Sequence, residues 1–455
     1  MAGKITLTVT TGPKTGTEFV FEEHDTLLLG RKNDCQVCLP EDKLISRHHF
    51  ILEMNPPDIR ICDLGSLHGT YINGQRYGGR EKHETPEEGA RRKLAQVDLR
   101  DGDEIKAGET TLRVRVEATA SLLKPRRCLW CRDYINVEAG ESGQDDNICA
   151  TCREMSEQDD SGAFSISLSQ QSRPLIEEDI NISDYQIIHE LGRGGMGIVS
   201  LAQHIKDGRQ VALKVMYSKV AVDERSRQRF LREMEAIRAL RHPNIITFLD
   251  SGTQSDVFYF LMEFCEGGNV ASLMARRGGR LTLEEAGPIL LQTLQGLAFA
   301  HKQGFVHRDI KPQNILLRGQ EGNWSARLSD LGLAKNFEQA GFSGLTITGE
   351  NGGSLPFMPR EQVTHFKYFK PNSDVWAMGA TCYYILTGSF PRNHLDAPNQ
   401  VDVILQGKVV PIRTRDLRIP KPVAEIIDRS LADKASERYQ HAGEMYEVLK
   451  KVLST

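Results

Sequence analysis

One eight-residue stretch, HRDIKPQN at positions 307–314, constrains this chain more than any other part of it. It places a carboxylate (Asp309), an ammonium group (Lys311) and an amide (Asn314) on one short loop. Such a set can orient a hydroxyl, neutralise a phosphate and hold a divalent cation. A further carboxylate, Asp330, follows in Asp-Leu-Gly at positions 330–332. The stretch therefore predicts a site at which a hydroxyl, a phosphate and a divalent cation come together.

A glycine-rich segment, LGRGGMGIV at positions 191–199, precedes that loop. Its glycines would let the backbone approach phosphates closely, but the same pattern also opens dinucleotide-binding units. Here it continues as alternating strand residues into Val-Ala-Leu-Lys at 211–214, with no helix directly after the glycines. This order, a glycine-rich segment followed by strands and a lysine, argues against a dinucleotide-binding unit. On these motifs, residues 184–453 resemble a protein kinase of the Ser/Thr class, which implies an α+β two-lobed fold that uses ATP and magnesium.

The resemblance implies a role for each catalytic side chain. Asp309 would orient the substrate hydroxyl and accept its proton, and Lys311 would contact the transferred phosphoryl group. Lys214 would contact the α- and β-phosphates of ATP. Glu233, in a segment of helical period, would pair with Lys214 and fix its position.

The resemblance also implies how the nucleotide and its metal are held. Asn314 and Asp330 would bind magnesium. The other nucleotide-binding positions lie in the glycine-rich loop, the following strands and the hinge between the lobes: Leu191, Gly192, Gly194, Gly197, Val199, Ala212, Lys214, Met262, Glu263 and Cys265. Because no catalytic polar group is missing, we expect active catalysis. The alternative is a pseudokinase, kept as a phosphothreonine-binding scaffold.

The activation segment of the resemblance would run from Asp330 to Glu361. Three hydroxyl residues are its candidate phosphorylation sites: Ser343, Thr346 and Thr348. Glu361 should pair with Arg438, and Asp374 should brace the catalytic loop from a buried helix. The amino-acid sequences of the GRGGMG and DIKPQN motifs are most similar to those of bacterial-type Ser/Thr kinases.

Residues 4–117 alternate apolar and polar side chains in short runs that are broken by Gly, Pro, Asn and Asp. This pattern predicts an all-β antiparallel sandwich. Its loops LGR at 29–31, SRHH at 46–49 and DLGSLHGTYING at 63–74 resemble those of a forkhead-associated (FHA) domain, a phosphothreonine-binding module. By that resemblance Arg31 and Ser46 would hold the phosphate, Arg47 would flank it and His49 would brace the loop. His68 stands where the family usually has an Asn that binds the peptide backbone.

Two CxxC pairs lie in residues 124–156, and 17 residues separate them. Two such pairs can supply four thiolates to one tetrahedral zinc ion, so the segment is expected to be a small zinc ribbon with a structural site. The four predicted ligands are Cys128, Cys131, Cys149 and Cys152. Residues 157–182 are rich in Ser, Gln, Asp and Glu without clear periodicity, and we expect a flexible linker there.

The bulk properties agree with a multidomain globular protein. The chain has 455 residues, 39% hydrophobic content and a net charge of −4, which gives no reason to expect nucleic acid as a partner. It contains no run of about 20 apolar residues, so no membrane span is expected. Nine cysteines and no apparent secretion signal indicate a reducing compartment, and the cytoplasm is the expected location. Two kinds of partner are expected: protein substrates that are phosphorylated on Ser or Thr, and a protein that contains phosphothreonine, which could be another copy of this chain.

Overall fold

The computed structural model describes residues 3–79, 96–117, 126–127, 134–135, 184–194, 197–217, 224–254, 257–332, 354–364, 369–393 and 400–454. The first part is a sandwich of two sheets, with strand orders β2-β1-β11-β10-β7-β8 and β4-β3-β5-β6-β9. Its strands are β1 Lys4–Thr11, β2 Glu18–Phe21, β3 Asp25–Gly30, β4 Val37–Cys38, β5 Phe50–Asn55, β6 Asp58–Asp63, β7 Thr70–Ile72, β8 Gln75–Tyr77, β9 Gln96–Asp98, β10 Glu104–Ala107 and β11 Thr110–Glu117. The predicted β-sandwich is confirmed.

The sandwich core forms where alternate side chains of both sheets meet. Leu7 of β1, Leu29 of β3 and Leu52 of β5 are buried in one apolar cluster between the sheets. Because successive residues of a strand point to opposite faces, Leu28 and Ile51 point away from that core. Both are nevertheless buried, because they belong to a second cluster that includes residues from the far end of the chain. The second sheet is therefore covered on both faces.

The last part of the chain has the two lobes expected of the kinase resemblance. Its first lobe is an antiparallel sheet of order β14-β15-β16-β18-β17 with helix α1. The elements of this lobe are β14 Tyr185–Gly194, β15 Gly197–His204, β16 Gln210–Tyr217, α1 Glu224–Arg238, β17 Phe248–Gln254 and β18 Val257–Glu263. The α1 residues Phe230, Met234 and Ile237 are buried, which is the spacing of one helix face.

The second lobe is mainly helical, with one β-hairpin at its junction with the first lobe. Its elements are α2 Val270–Arg276, α3 Leu283–Lys302, β19 Ile315–Gln320, β20 Asn323–Leu328, α4 Arg360–Thr364, α5 Pro371–Thr387, α6 Gln400–Gln406, α7 Ile412–Arg415, α8 Lys421–Ser430 and α9 Ala442–Leu453. Helix α5 is buried along most of its length and carries Trp376 in its interior. The catalytic-loop motif lies between α3 and β19.

Between the two parts, the structure describes one short antiparallel pair, β12 Arg126–Arg127 and β13 Tyr134–Ile135. The four predicted zinc ligands and the predicted linker at 157–182 lie outside the described residues. Within the part of the chain that is described, no helix combines the length and the apolar character that crossing a membrane requires.

Candidate functional site

Asp309, Lys311 and Asn314 of the 307–314 motif meet in one cluster. Lys311 Nζ lies 2.9 Å from Asp309 Oδ2. Asn314 donates from Nδ2 to the same carboxylate oxygen over 3.0 Å and to the Asp309 carbonyl over 2.7 Å. The Asp309 carboxylate is thus held by two donors, while its side chain remains 15% exposed. A carboxylate held in this way can receive a proton from a hydroxyl placed beside it.

A buried carboxylate beneath the loop fixes its backbone. Asp374 of α5 accepts from the backbone N–H groups of His307, over 2.7 Å, and Arg308, over 2.8 Å. His301 at the end of α3 lies 2.9 Å from the same carboxylate. Burial alone would raise the pKa of Asp374, but the hydrogen bond with His301 and the nearby charges outweigh burial and lower it. The predicted bracing role of Asp374 is confirmed.

Two residues here have backbone angles that are uncommon outside glycine. Arg308 has φ +70° and Asp330 has φ +57°. Such conformations cost free energy and persist where the surroundings hold them. The N–H bonds to Asp374 hold the first position. The second is tied to the catalytic loop by the bond from the Gly332 N–H to the His307 carbonyl oxygen, 3.2 Å long, so the two segments hold a common geometry.

Lys214 pairs with a different carboxylate from the one expected. Its Nζ lies 2.8 Å from Asp330 Oδ1, whereas Glu233 is exposed and the described residues show no ion pair between it and Lys214. The reason lies in the orientation of α1. The helix buries a stripe that runs through Phe230 and Met234, and Glu233 lies outside this stripe. The expected pair of Lys214 with Glu233 is therefore not formed in this structure.

The glycine-rich segment forms a hairpin, with Gly194 of β14 opposite Gly197 of β15. A Cβ atom at Gly197 would lie 1.8 Å from the Val215 carbonyl oxygen of β16, so no other residue fits there without displacement of a strand. Gly192 has open space around it instead, because no heavy atom of the described residues lies within 4 Å of a Cβ placed there. The predicted positions Leu191 and Val199 lie on the two strands of this hairpin.

The predicted hinge positions lie at and just beyond the end of β18. Met262 and Cys265 are buried, as is Ala212 on the neighbouring β16. Burial raises the pKa of the Cys265 thiol to about 12, so it stays protonated and is a packing residue. The Glu263 carboxylate accepts from the Thr247 N–H and from Arg318, each over 2.9 Å, so its side chain is held by the protein itself.

The described end of the activation segment, from Ser354 onward, contacts both the catalytic loop and the helical core. Lys311 Nζ donates to the Ser354 hydroxyl oxygen over 2.6 Å. Glu361 forms a two-point ion pair with Arg438, with distances of 2.5 and 3.2 Å, which confirms that prediction. The candidate phosphorylation sites Ser343, Thr346 and Thr348 lie outside the described residues.

The sandwich has its own cleft, formed by the loops that the sequence singled out. Its lining includes all four predicted phosphopeptide residues: Arg31, Ser46, Arg47 and His68. Lys43 adds a third full positive charge, and among the described residues no carboxylate lines the cleft. A cleft of this composition can bind an anion through charge-assisted hydrogen bonds.

Two buried residues hold the cleft loops in place. Ser46 N–H donates to His49 Nδ1 over 3.1 Å, and His49 Nε2 lies 3.2 Å from the Gly69 carbonyl oxygen, which confirms that His49 braces the loop. Asp63 accepts from the Ser66 and Thr70 hydroxyls, each over 2.7 Å. These bonds fix the loop that carries the predicted peptide-binding histidine at position 68.

Three further residues contribute to these sites without having been predicted from the sequence. Lys43 lies in the loop before Ser46. Its positive charge, three residues from a predicted phosphate-binding residue, could have indicated that it lines the cleft. Ser354 is the second: its bond to Lys311 joins positions far apart in the chain, so no local pattern indicates it. Gln406, at the end of α6, lines the cleft of the sandwich although it belongs to the other part of the chain.

Comparison with known families agrees with this geometry. The family model described as the protein kinase domain matches residues 185–452, and the model described as the FHA domain matches residues 27–108. The chain therefore belongs to the protein kinase family and carries an FHA domain ahead of its kinase domain.

Curated relatives are similar over the kinase part. The serine/threonine-protein kinase PrkC of Bacillus subtilis is 34% identical over 263 residues, which are 57% of this chain and 39% of that protein. The probable serine/threonine-protein kinase CPE1738 of Clostridium perfringens is 33% identical over 269 residues, 59% of this chain and 38% of that protein. The chain thus spans about two fifths of the length of these relatives. A crystal structure of the Mycobacterium tuberculosis PknI kinase domain has 24% identity and a TM-score of 0.46, and the match covers 60% of this chain and 98% of that one.

Proposed function

We propose that the chain is an ATP-dependent protein serine/threonine kinase whose FHA domain binds phosphothreonine. The observation that carries the catalytic part is the cluster of Asp309, Lys311 and Asn314 together with the Lys214–Asp330 pair. These contacts bring together a catalytic base (Asp309), two cations (Lys214 and Lys311) and two residues with oxygen atoms for a metal (Asn314 and Asp330). The alternative of a catalytically weak scaffold lacks support, because every polar group that phosphoryl transfer uses is present.

In this proposal Asp309 orients the substrate hydroxyl and takes its proton. Lys311, which already contacts Asp309 and Ser354, neutralises charge on the transferred phosphoryl group. Lys214 holds the α- and β-phosphates, and Glu233 takes over its pairing when α1 turns inward. This exchange would free the carboxylate that now holds Lys214.

The residues present suit magnesium, which prefers oxygen ligands. Asn314 uses its Nδ2 for Asp309, which leaves its side-chain oxygen for a cation. Asp330 supplies carboxylate oxygens. Bound magnesium would neutralise the charge of the ATP phosphates. Nucleotide contacts are proposed for the glycine-rich hairpin and the hinge: Leu191, Gly192, Gly194, Gly197, Val199, Ala212, Met262, Glu263 and Cys265.

For the sandwich, we propose that Arg31 and Ser46 hold the phosphate of a phosphothreonine, with Arg47 beside it and His68 on the peptide backbone. The three cations of the cleft, and the lack of a carboxylate in its lining as far as the structure describes the chain, support this assignment. A phosphothreonine on another copy of the chain would be one partner. The candidate positions are Thr346 and Thr348, with Ser343 as a third site of phosphorylation. Binding of the FHA domain to such a phosphorylated site on another copy would promote autophosphorylation in trans.

A structural zinc ion on Cys128, Cys131, Cys149 and Cys152 remains our proposal for the segment between the domains. The antiparallel pair of β12 and β13 flanks the first CxxC, which supports this proposal because a turn between two short strands can present two thiolates to one ion. The described cysteines, which form no disulfide, are Cys35, Cys38, Cys62, Cys265 and Cys382. Free thiols of this kind support a reducing location such as the cytoplasm.

The test of the kinase is phosphate transfer from labelled ATP and magnesium by the full chain and by Asp309→Asn, with mass-spectrometric mapping of the products. We expect label on Ser or Thr only with the wild type, because the variant keeps the shape of the side chain and loses the base. Equal labelling by both proteins would contradict the role of Asp309. For the FHA domain, Arg31→Ala should slow autoactivation without changing the turnover of enzyme that is already phosphorylated.

A further inference from the structure

The FHA domain and the kinase domain share an apolar interface. On the FHA side, Leu28 and Ile51 belong to the outward face of the second sheet. The kinase side contributes Ile404 and Leu405 of α6 and Val363 of α4, and all five side chains are buried in one cluster. Burial of apolar surface is favourable, so these contacts hold the two domains together.

The same cluster reaches the end of the activation segment. Leu355 and Met358 are partly buried and pack against it. They lie close in sequence to Ser354, which contacts Lys311 of the catalytic loop. The cluster that covers the FHA sheet therefore also includes the segment that follows the candidate phosphorylation sites.

A hydrogen bond between the two domains lies at the edge of this interface, beside the proposed phosphopeptide cleft. Arg47 Nη2 donates to Gln406 Oε1 over 2.6 Å. Both residues line the cleft, together with Arg31 and Ser46. A guanidinium group has five N–H donors in a planar fork. Arg47 can therefore keep its bond to Gln406 while another of its nitrogens binds a phosphate.

We propose that the phosphothreonine site is completed by the kinase domain, with Gln406 as a positioning residue that orients Arg47 toward the bound phosphate. This inference rests on the phosphothreonine binding proposed above. It adds that a bound phosphopeptide touches both domains and tightens their docking. By linkage, docking of the kinase domain raises peptide affinity by the same factor by which the peptide favours docking.

The test measures binding of a degenerate phosphothreonine peptide library to the full chain. Gln406→Met keeps the length of the side chain and removes its acceptor oxygen. We expect affinity to fall about 3- to 10-fold, which is the effect of one hydrogen bond. Lys408→Ala is the matched control, because Lys408 is exposed, lies just beyond α6 and is not among the described residues that line the cleft. Its affinity should stay within about two-fold of the wild type.

A double-mutant cycle separates positioning from a general structural effect. In an Arg47→Ala background, Gln406→Met should cause no further loss, because the side chain that it orients is gone. Unchanged affinity of the single variant, or an equal loss in both backgrounds, would overturn the inference while leaving phosphothreonine binding intact. If the wild type retains no phosphothreonine peptide from the library, the proposed FHA function fails, and this inference fails with it.

Discussion

Lys311 Nζ lies 2.6 Å from the Ser354 hydroxyl oxygen, which joins the catalytic loop to the end of the activation segment. The same nitrogen lies 2.9 Å from Asp309, so the Ser354 hydroxyl helps to hold the ammonium group that contacts the transferred phosphoryl group in the proposed function. Under that proposal, position 354 bears on catalysis although Ser354 performs no chemistry itself.

Removing that hydroxyl should slow phosphate transfer. Ser354→Ala leaves Lys311 with one partner fewer, and small misplacements of catalytic groups are costly to rate. We expect kcat to fall by about 10-fold or more, with little change in the KM for ATP. Ser354→Thr keeps the hydroxyl and should retain most of the activity. Steady-state kinetics of the two variants check this, and equal rates for Ala and Thr would contradict it.

Replacing Glu233 should affect activity without affecting stability. Glu233 is exposed in this structure and Lys214 pairs with Asp330, so Glu233→Gln breaks no pair with Lys214 that holds the fold. We expect an unchanged thermal midpoint and a fall in kcat of about 10-fold or more, since in the proposed active arrangement Glu233 pairs with Lys214. Glu235→Gln, at another exposed position of α1, is the control and should alter neither quantity.

Breaking the Glu361–Arg438 pair should destabilise the kinase domain strongly. Burial alone would raise the pKa of Glu361, but the hydrogen bond and charge of Arg438 outweigh burial and lower it. Arg438 is buried and the Glu361 carboxylate is partly buried, so Arg438→Met, which leaves this carboxylate without its cation, should cost about 2 kcal/mol or more. Urea unfolding followed by tryptophan fluorescence measures the loss. Adding Glu361→Gln should recover part of it, and no recovery would argue against the pair as the cause.

Acidification should weaken the FHA domain through His48. Burial lowers the pKa of His48 below its ordinary value of 6.5, the bond with Asp34 offsets this only in part, and Lys32 and Arg360 also oppose a charge there. The unfolded chain then takes up a proton at a higher pH than the folded chain. The stability contributed by neutral His48 is complete above about pH 6.5 and is lost as the pH falls through the folded pKa.

His48→Gln should therefore reduce the difference between the free energies of unfolding at about pH 7 and about pH 5. Part of the difference should remain, because burial lowers the pKa of His49 in the same direction. Urea titrations of both proteins at the two pH values give the comparison. An identical pH dependence in the variant would show that His48 does not contribute to it.

Gly197 and Gly192 should differ sharply in their tolerance of a methyl group. Gly197→Ala would place its Cβ 1.8 Å from the Val215 carbonyl oxygen, so β15 and β16 would have to separate. We expect a loss of about 2 kcal/mol or more in the free energy of unfolding. Gly192→Ala meets no described neighbour within 4 Å and should leave stability nearly unchanged. Comparable losses in both variants would contradict this interpretation of the hairpin.

Much of the kinase site could be predicted because its parts are local in sequence. The loop that holds Asp309, Lys311 and Asn314 forms from eight consecutive residues, and its internal bonds follow from that closeness. The partner of Lys214 could not be predicted in the same way. Asp330 and Glu233 both suit it chemically, and the choice depends on the orientation of α1, which distant packing decides.

The contact between the domains could not be predicted from the sequence either. The strands Asp25–Gly30 and Phe50–Asn55 are buried at consecutive positions, and near-continuous apolar runs are typical of strands covered on both faces. That signal was present in Leu27, Leu28 and Leu29. It indicates that the outward face is covered, but it cannot say by which segment, because α6 lies hundreds of residues away.

The shared apolar cluster has a practical consequence for anyone who divides this protein. A fragment of residues 184–453 would carry Val363, Ile404 and Leu405 into solution without the sheet that now buries them. Exposed apolar patches of this kind promote self-association. A difference in phosphate-transfer rate between such a fragment and the whole chain would then have two causes, the loss of the proposed phosphothreonine binding and a change in oligomeric state. Point variants in the intact chain separate the two.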